Sequence, residues 1–285
     1  MVLESMITPF KAEQRPSKLL LLGILFTSVS IFLGLWIFKA QTSLVMVFFT
    51  AMAALPLIYN TLRMEEEKDL EGMEEKWLLK EHSKALRVFM YLFIGATIAF
   101  SFWYVVFSSD LVNTAFQAQT ATINAINSRV TGNLSFNANM GFFSKIFLNN
   151  VKVLIFCILF SFVYGSGAIF ILMWNASVIG TAIGNFIRSE IAQVAQLVGF
   201  EKIAHYFQII SIGLLRYSIH GIPEILAYFM GGLAGGIIGL AVIKHDFGTA
   251  KFEHILLDSA DVLLLSLGVL FIAAVLEVFI TPAIF

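Results

Sequence analysis

The sequence predicts an all-α fold: a polytopic transmembrane helix bundle of six to seven spans, with an additional interfacial or re-entrant helix, in one membrane domain over residues 1–285. Three observations carry this. Hydrophobic residues make up 59% of the chain and charged ones 13%, with a mean hydropathy of +0.87, whereas a soluble domain is about 45–50% apolar and about 25% charged. The apolar runs are long enough to cross a hydrocarbon core of about 30 Å as helices rising about 1.5 Å per residue. The polar interruptions between them are too short for a separate soluble domain. A net charge of −1 gives no basis for a nucleic-acid partner, and the single Cys157 excludes a disulfide framework.

The first run, "LLLLGILFTSVSIFLGLWIF" (19–38), lacks a small-residue cleavage site and is followed at once by more apolar sequence, so it reads as a retained span. The second span covers 43–62, with Pro56 as a kink. Residues 63–87 form a charged helical arm, acidic at 65–75 and basic at 76–87, an order that suits the helix macrodipole. Leu70, Met73 and Trp77 give that arm one apolar stripe, which reads as a solvated face or a partner-docking one. The third span, 86–107, ends in aromatics that fit an interfacial belt.

Residues 108–145 are polar but nearly uncharged, and Arg129 is their only cation before Lys145. Basic residues crowd instead before span one and between spans two and three. The positive-inside rule therefore places the N-terminus and the 63–87 arm in the cytoplasm and 108–145 outside as a polar loop. Ile123, Ile126 and Val130 recur at helical spacing there, and Asn133-Leu134-Ser135 matches the short N-glycosylation pattern.

Residues 149–188 are too long for one span and just long enough for two, joined near Gly165-Ser166-Gly167. Two helices there give seven spans and an external C-terminus; one gives six and an internal one. The charges scattered over 188–219 suggest the interfacial or re-entrant helix, and spans at 223–243 and about 262–281 complete the bundle.

Small residues let membrane helices approach closely. Gly231, Gly235 and Gly239 form one four-residue series, Gly232 and Gly236 a second, and Gly180 and Gly184 a third. They predict tight packing, within the chain or across a homo-oligomer. The patterns G-x-G-x-x-G, H-E-x-x-H, G-x-S-x-G and the P-loop are absent, and no cofactor is implied.

Ionisable residues in an apolar span are costly and usually functional or paired. In "HGIPE" (220–224), Pro223 is favoured at a first helical position, which would make Glu224 a first-turn charge and leave His220 just before the helix. The alternative is a polar intramembrane cluster of His220, Glu224 and Glu277 with the amides of Asn150 and Asn175. Asparagines in such helices also serve as interhelical hydrogen-bond partners.

The segments "NNVKVLIFCILFSFVYGSGAIFILMWNASVIG", "HGIPEILAYFMGGLAGG" and "LEVFITP" occur in an order and spacing that resemble the stage II sporulation protein M family, and the opening "MVLESMITPFKAEQRPSKLLLLGILF" looks like its archaeal members. The resemblance implies an all-helical multi-pass membrane protein without established catalytic activity. Bacterial relatives act in a membrane complex with a peptidoglycan hydrolase and its partner during engulfment. His220, Glu224, Glu277, Asn150 and Asn175 carry over as polar positions with no assigned chemistry.

Three functions compete. One is a scaffold or membrane-remodelling component in the cell membrane, assembling as a homo-oligomer and recruiting membrane-complex partners. Another is a channel, permease or lipid-translocating protein with a polar midplane site. The third is an intramembrane metal-dependent hydrolase using His220, Glu224 and Glu277, since imidazole and carboxylate are competent Zn²⁺ ligands. A continuous polar cavity favours transport, and a dry closed bundle favours the scaffold.

Overall fold

In the computed structural model, which describes residues 8–69, 75–127, 136–194, 196, 199–244 and 249–284, every regular element is helical. In chain order these are α1 (Pro9–Gln14), α2 (Ser17–Ile37), a 3₁₀ turn (Lys39–Gln41), α3 (Thr42–Asp69), α4 (Glu75–Val106), α5 (Ser109–Ala115) and α6 (Gln117–Asn127). Then come α7 (Phe136–Tyr164), α8 (Ala168–Gln193), α9 (Gly199–Lys244), α10 (Ala250–Val275), a π-helical turn (Leu276–Ile280) and α11 (Thr281–Ile284). Seven helices among the described residues are long and apolar enough to cross a membrane. The seven-span alternative is thus the one observed, with the break between α7 and α8 at Gly165, whose φ of 68° only glycine adopts cheaply.

Side-chain contacts fix the direction of each span. Ser28 accepts a hydrogen bond from Trp103 Nε1 at 2.9 Å and Gly23 lies against Leu92, so α2 and α4 run parallel. Gly180 meets Phe100 and Gly184 meets Tyr104, which makes α4 and α8 parallel as well. Gly231, Gly235 and Gly239 stand in register against Leu154, Ile158 and Phe162, so α7 and α9 are parallel. Helix α9 is antiparallel to α8, with Gly213 at Phe186 and Gly232 at Ala168. The seven spans therefore alternate, and α10 leads to the end opposite the N-terminus. We refer to the N-terminal side as the near end and the opposite side as the far end.

Helix α9 is the axis of the second half, covered by α7, α8 and α10, and it also reaches α3 and α4. Its glycines explain the closeness. A Cβ at Gly235 would lie 2.5 Å from the Ile158 carbonyl oxygen, and one at Gly239 would meet the Phe162 carbonyl oxygen. On its other side Gly232 faces Ala168 and Gly236 faces the Gly165 carbonyl. All three glycine series are thus used within the chain, which removes them as the surface of a homo-oligomer. Two glycines outside these series do the same for α2 and α4: Gly23 packs on Leu92 and Gly95 on Leu20.

Several expectations are corrected. The segment 188–219 is no separate interfacial or re-entrant helix; α8 continues to Gln193, and α9 runs unbroken from Gly199 through Pro223 to Lys244. At 46 residues α9 is about 69 Å long, twice a hydrocarbon core. Pro223 is tolerated inside it because the helix loses one bond, to the carbonyl of Ile219, and neighbouring helices hold both sides. Two short helices, α5 and α6, lie within the polar 108–145 stretch, and α7 begins inside it at Phe136.

The charged arm is equally integrated. Residues 63–69 are the end of α3 and 75–87 the start of α4, with Glu65, Glu66 and His82 buried. His82 Nδ1 lies 2.7 Å from Glu65 Oε2. At the far end Arg188 donates to the carbonyl oxygens of Tyr104 (3.3 Å) and Phe107 (3.0 Å), capping α4 where its last carbonyls lack partners. Gln119 on α6 reaches the Ser43 carbonyl at 2.9 Å and Ser177 Oγ at 3.1 Å, pinning the far-end helices onto α3 and α8. Leu70, Met73, Arg129, Val130 and the Asn133-Leu134-Ser135 pattern lie outside the described residues, as do the side chains of Trp77 and Ile126.

Candidate polar site inside the bundle

The site is built where α9, α10 and α7 meet. Because α9 continues through Pro223, Glu224 is a mid-helix residue and its first-turn role falls away. Four residues on, Tyr228 shares its face, and the phenol donates to Glu224 Oε1 at 2.8 Å. Tyr228 itself is 1% exposed, so the hydroxyl has no route to bulk water and the carboxyl is its partner inside the bundle.

Glu277 approaches from the last span. It sits in the π-helical turn Leu276–Ile280, closed by the Thr281 N–H donating to the Leu276 carbonyl, five residues back. The cause is legible in "EVFITP": Pro282 has no N–H, and its ring would clash with the carbonyl of Val278 in a regular helix. A wider turn there relieves the clash, and the turn that carries Glu277 packs against α9.

His220, one turn before Glu224 on α9, has Nδ1 3.3 Å from Thr281 Oγ1, which ties α9 to the start of α11. Asn150 is buried on α7, at 6% exposure. Asn175 turns back on its own helix, donating from Nδ2 to the Ile171 carbonyl at 2.9 Å. The structure thus pairs Glu224 with Tyr228, sets the turn of Glu277 against α9, ties His220 to Thr281, and gives Asn175 a local role. Sequence reasoning missed Tyr228 and Thr281. The Glu-to-Tyr spacing of four was the available signal for the first, and the Thr-Pro after Glu277 for the second.

What the arrangement can do is limited by its donors. Two carboxyls and a phenol hold and exchange protons, and they can attract a cation. Among the described residues no three His, Cys, Asp or Glu side chains are grouped to hold a metal ion, so the hydrolase reading of His220, Glu224 and Glu277 has no geometric support. A pocket under the α7–α8 turn, between Ile58, Leu62, Phe229 and Leu233, has a volume of about 20 Å³ and almost wholly apolar walls.

The profile of the family described as stage II sporulation protein M matches residues 89–282, a range that contains α7 to α10, the glycine series and every residue of the polar site. The chain belongs to the stage II sporulation protein M family. No curated protein and no solved structure matches it. The family match begins at Phe89, so the archaeal likeness of the opening segment rests on its residues alone.

Proposed function

We propose that this family member is a multi-pass scaffold of the cell membrane, a non-enzymatic component of a membrane complex, with its N-terminus and the 63–87 segment on the cytoplasmic side. One observation carries the reading: the spans are locked by backbone contact at Gly235, Gly239, Gly23 and Gly95, which leaves a tightly closed bundle with an axial helix, α9. Such a bundle suits holding partners or bending the bilayer around a fixed shape. Basic residues at the near end support the orientation. The test has two arms. Reconstituted liposomes should show no ion, proton or lipid-probe flux above empty vesicles, and cross-linking in native membranes should trap the chain in a species heavier than the monomer. Flux with no heavier species would overturn the reading.

A second reading, proton- or cation-coupled transport, is favoured by one specific observation: two carboxyl side chains lie within the spans, Glu224 on α9 and Glu277 in the π-helical turn packed against that helix. Here Glu224→Gln would keep the fold and abolish flux, whereas in a scaffold it would leave assembly intact.

A further inference from the structure

We infer that the exposed stripe of α9 beyond the far end is a parallel coiled-coil seam, which joins this chain to the same helix of a second copy. The inference goes beyond both readings above, since a scaffold and a transporter can each be built from more than one copy.

Ile203, Phe207, Ile210 and Leu214 are spaced by 4, 3 and 4 residues, the seam of a heptad, and all four are exposed. The rows beside this seam are Ala204 and Ser211 on one flank and Tyr206 and Gly213 on the other, none of them charged. Glu201, Lys202, His205 and Arg216 all fall on the remaining faces. An apolar seam with neutral flanks and outlying charges lets a helix lie against its own copy without setting like charges together. Helix α8 leaves the seam open: it holds α9 from the side, through Ile183 and Ile187 on Ile209 and through Phe186 on Gly213. The seam is also separate from the glycine series, which are used inside the chain.

Height decides between occupants. Gly213 is level with Phe186, two residues before Arg188, which caps the end of α4. Phe207 stands six residues beyond Gly213, about 9 Å, and Ile203 ten residues, about 15 Å. Glu201, Lys202 and His205 stand at the same height, so lipid tails reach the seam only by rising past charged side chains.

A second copy meets the seam without that cost. Copies of one chain insert in the membrane in one sense, and rotation about the membrane normal brings each residue to its counterpart at equal depth. The heptads then match without sliding, Ile203 against Ile203 and Phe207 against Phe207 of the second copy. A seam this short would not hold isolated helices together, but here each helix is already formed against α8, so its nucleation cost is not due again. Confinement to one membrane raises the effective concentration of the copies as well.

The test places a nitroxide on a single cysteine in the full chain, in a Cys157→Ala background, reconstituted in phosphatidylcholine liposomes. Ile203→Cys and Phe207→Cys should show spin–spin broadening that is lost on dilution with unlabelled chain, whereas His205→Cys and Gln208→Cys, outside the seam, should give sharp spectra throughout. In detergent, Phe207→Glu should reduce the particle to the mass of one chain and keep the native melting midpoint, and His205→Glu should keep the native mass. A native chain of monomeric mass without broadening would overturn the inference, as would equal broadening at all four labelled positions. In the unbroadened case, relaxation of the label at 207 by oxygen would give the seam to lipid, and relaxation by a nickel chelate would leave it to a different protein. The flux and cross-linking tests of function stand independently of every one of these outcomes.

Discussion

Replacing Gly235 by alanine is a stringent test of the packing, because helix propensity and tertiary contact predict opposite signs. In an exposed helix interior, glycine to alanine gains about 1 kcal/mol. At Gly235 the added methyl would sit 2.5 Å from the Ile158 carbonyl oxygen and 3.0 Å from its Cα. Both are backbone atoms, so no rotamer change relieves the clash, and α7 and α9 must part by about 1 Å to restore ordinary contact. That displacement loosens Gly231 and Gly239 on the same face, and overpacking of this kind costs about 1–3 kcal/mol. Gly268 on α10 is the control, since a methyl there meets nothing within 4 Å. In thermal unfolding of the detergent-solubilised protein, Gly235→Ala should lower the midpoint, while Gly268→Ala should leave it unchanged or raise it. The particle mass of folded Gly235→Ala should match the native protein, because the face is used inside one chain. Equal midpoints for the two variants would refute the argument, and a change in particle mass without loss of stability would show the glycine face to be intermolecular after all.

Other substitutions probe the polar contacts. Tyr228→Phe removes the donor to Glu224 and should lower stability by about 1–3 kcal/mol, whereas Glu224→Gln keeps an acceptor for the phenol and should unfold near the native midpoint. Arg188→Ala uncovers the carbonyls at the end of α4 and should cost about 1–2 kcal/mol, read by the same melt; Arg188→Lys should recover only part, for want of the guanidinium fork. His82→Leu leaves Glu65 buried without its imidazole and should destabilise by about 3–5 kcal/mol, far more than Lys84→Leu at the partly exposed pair with Glu81. Single cysteines at 76 and 120, in a Cys157→Ala background, should be labelled by an impermeant reagent from the cytoplasmic and external sides respectively, and the reverse pattern would invert the topology.

Much of this was open to sequence reasoning, for identifiable reasons. Span positions follow from hydropathy alone, and the Gly165-Ser166-Gly167 break was visible because nothing else in 149–188 punctuates an apolar run. What stayed hidden depends on neighbours. Small-residue spacing shows that Gly235 and Gly239 approach something, but not that it is α7 of the same chain. The roles of Gly23 and Gly95 need the α2–α4 crossing to be known. Pro223 reads equally well as a helix opener or an interruption, and only the packing of α9 on both sides of it decides. Glu65 and Glu66 belong to a charge run that composition assigns to solvent, yet the near ends of α3 and α4 enclose them. In the polar site, Glu224 and Glu277 were evident as charges out of place, while Tyr228 looked like one more aromatic in a chain rich in them.

The length of α9 has a consequence for the surrounding lipid. Gly213 is level with Phe186, close to where α4 ends, so the first fourteen residues of α9, Gly199 to Ile212, overhang the far end by about 21 Å. Ile203 and Phe207 on that overhang are 65% and 75% exposed. The α8–α9 flank therefore reaches further at the far end than the α2 flank, where the span stops at Ile37, and its exposed apolar side chains there are interleaved with Glu201, Lys202 and His205. A bilayer wetting both flanks must thicken on one side or tilt the whole bundle, at a cost of a fraction of a kcal/mol per Å of mismatch. Such a one-sided mismatch would bias the tilt of the bundle in the bilayer without any contact to another protein.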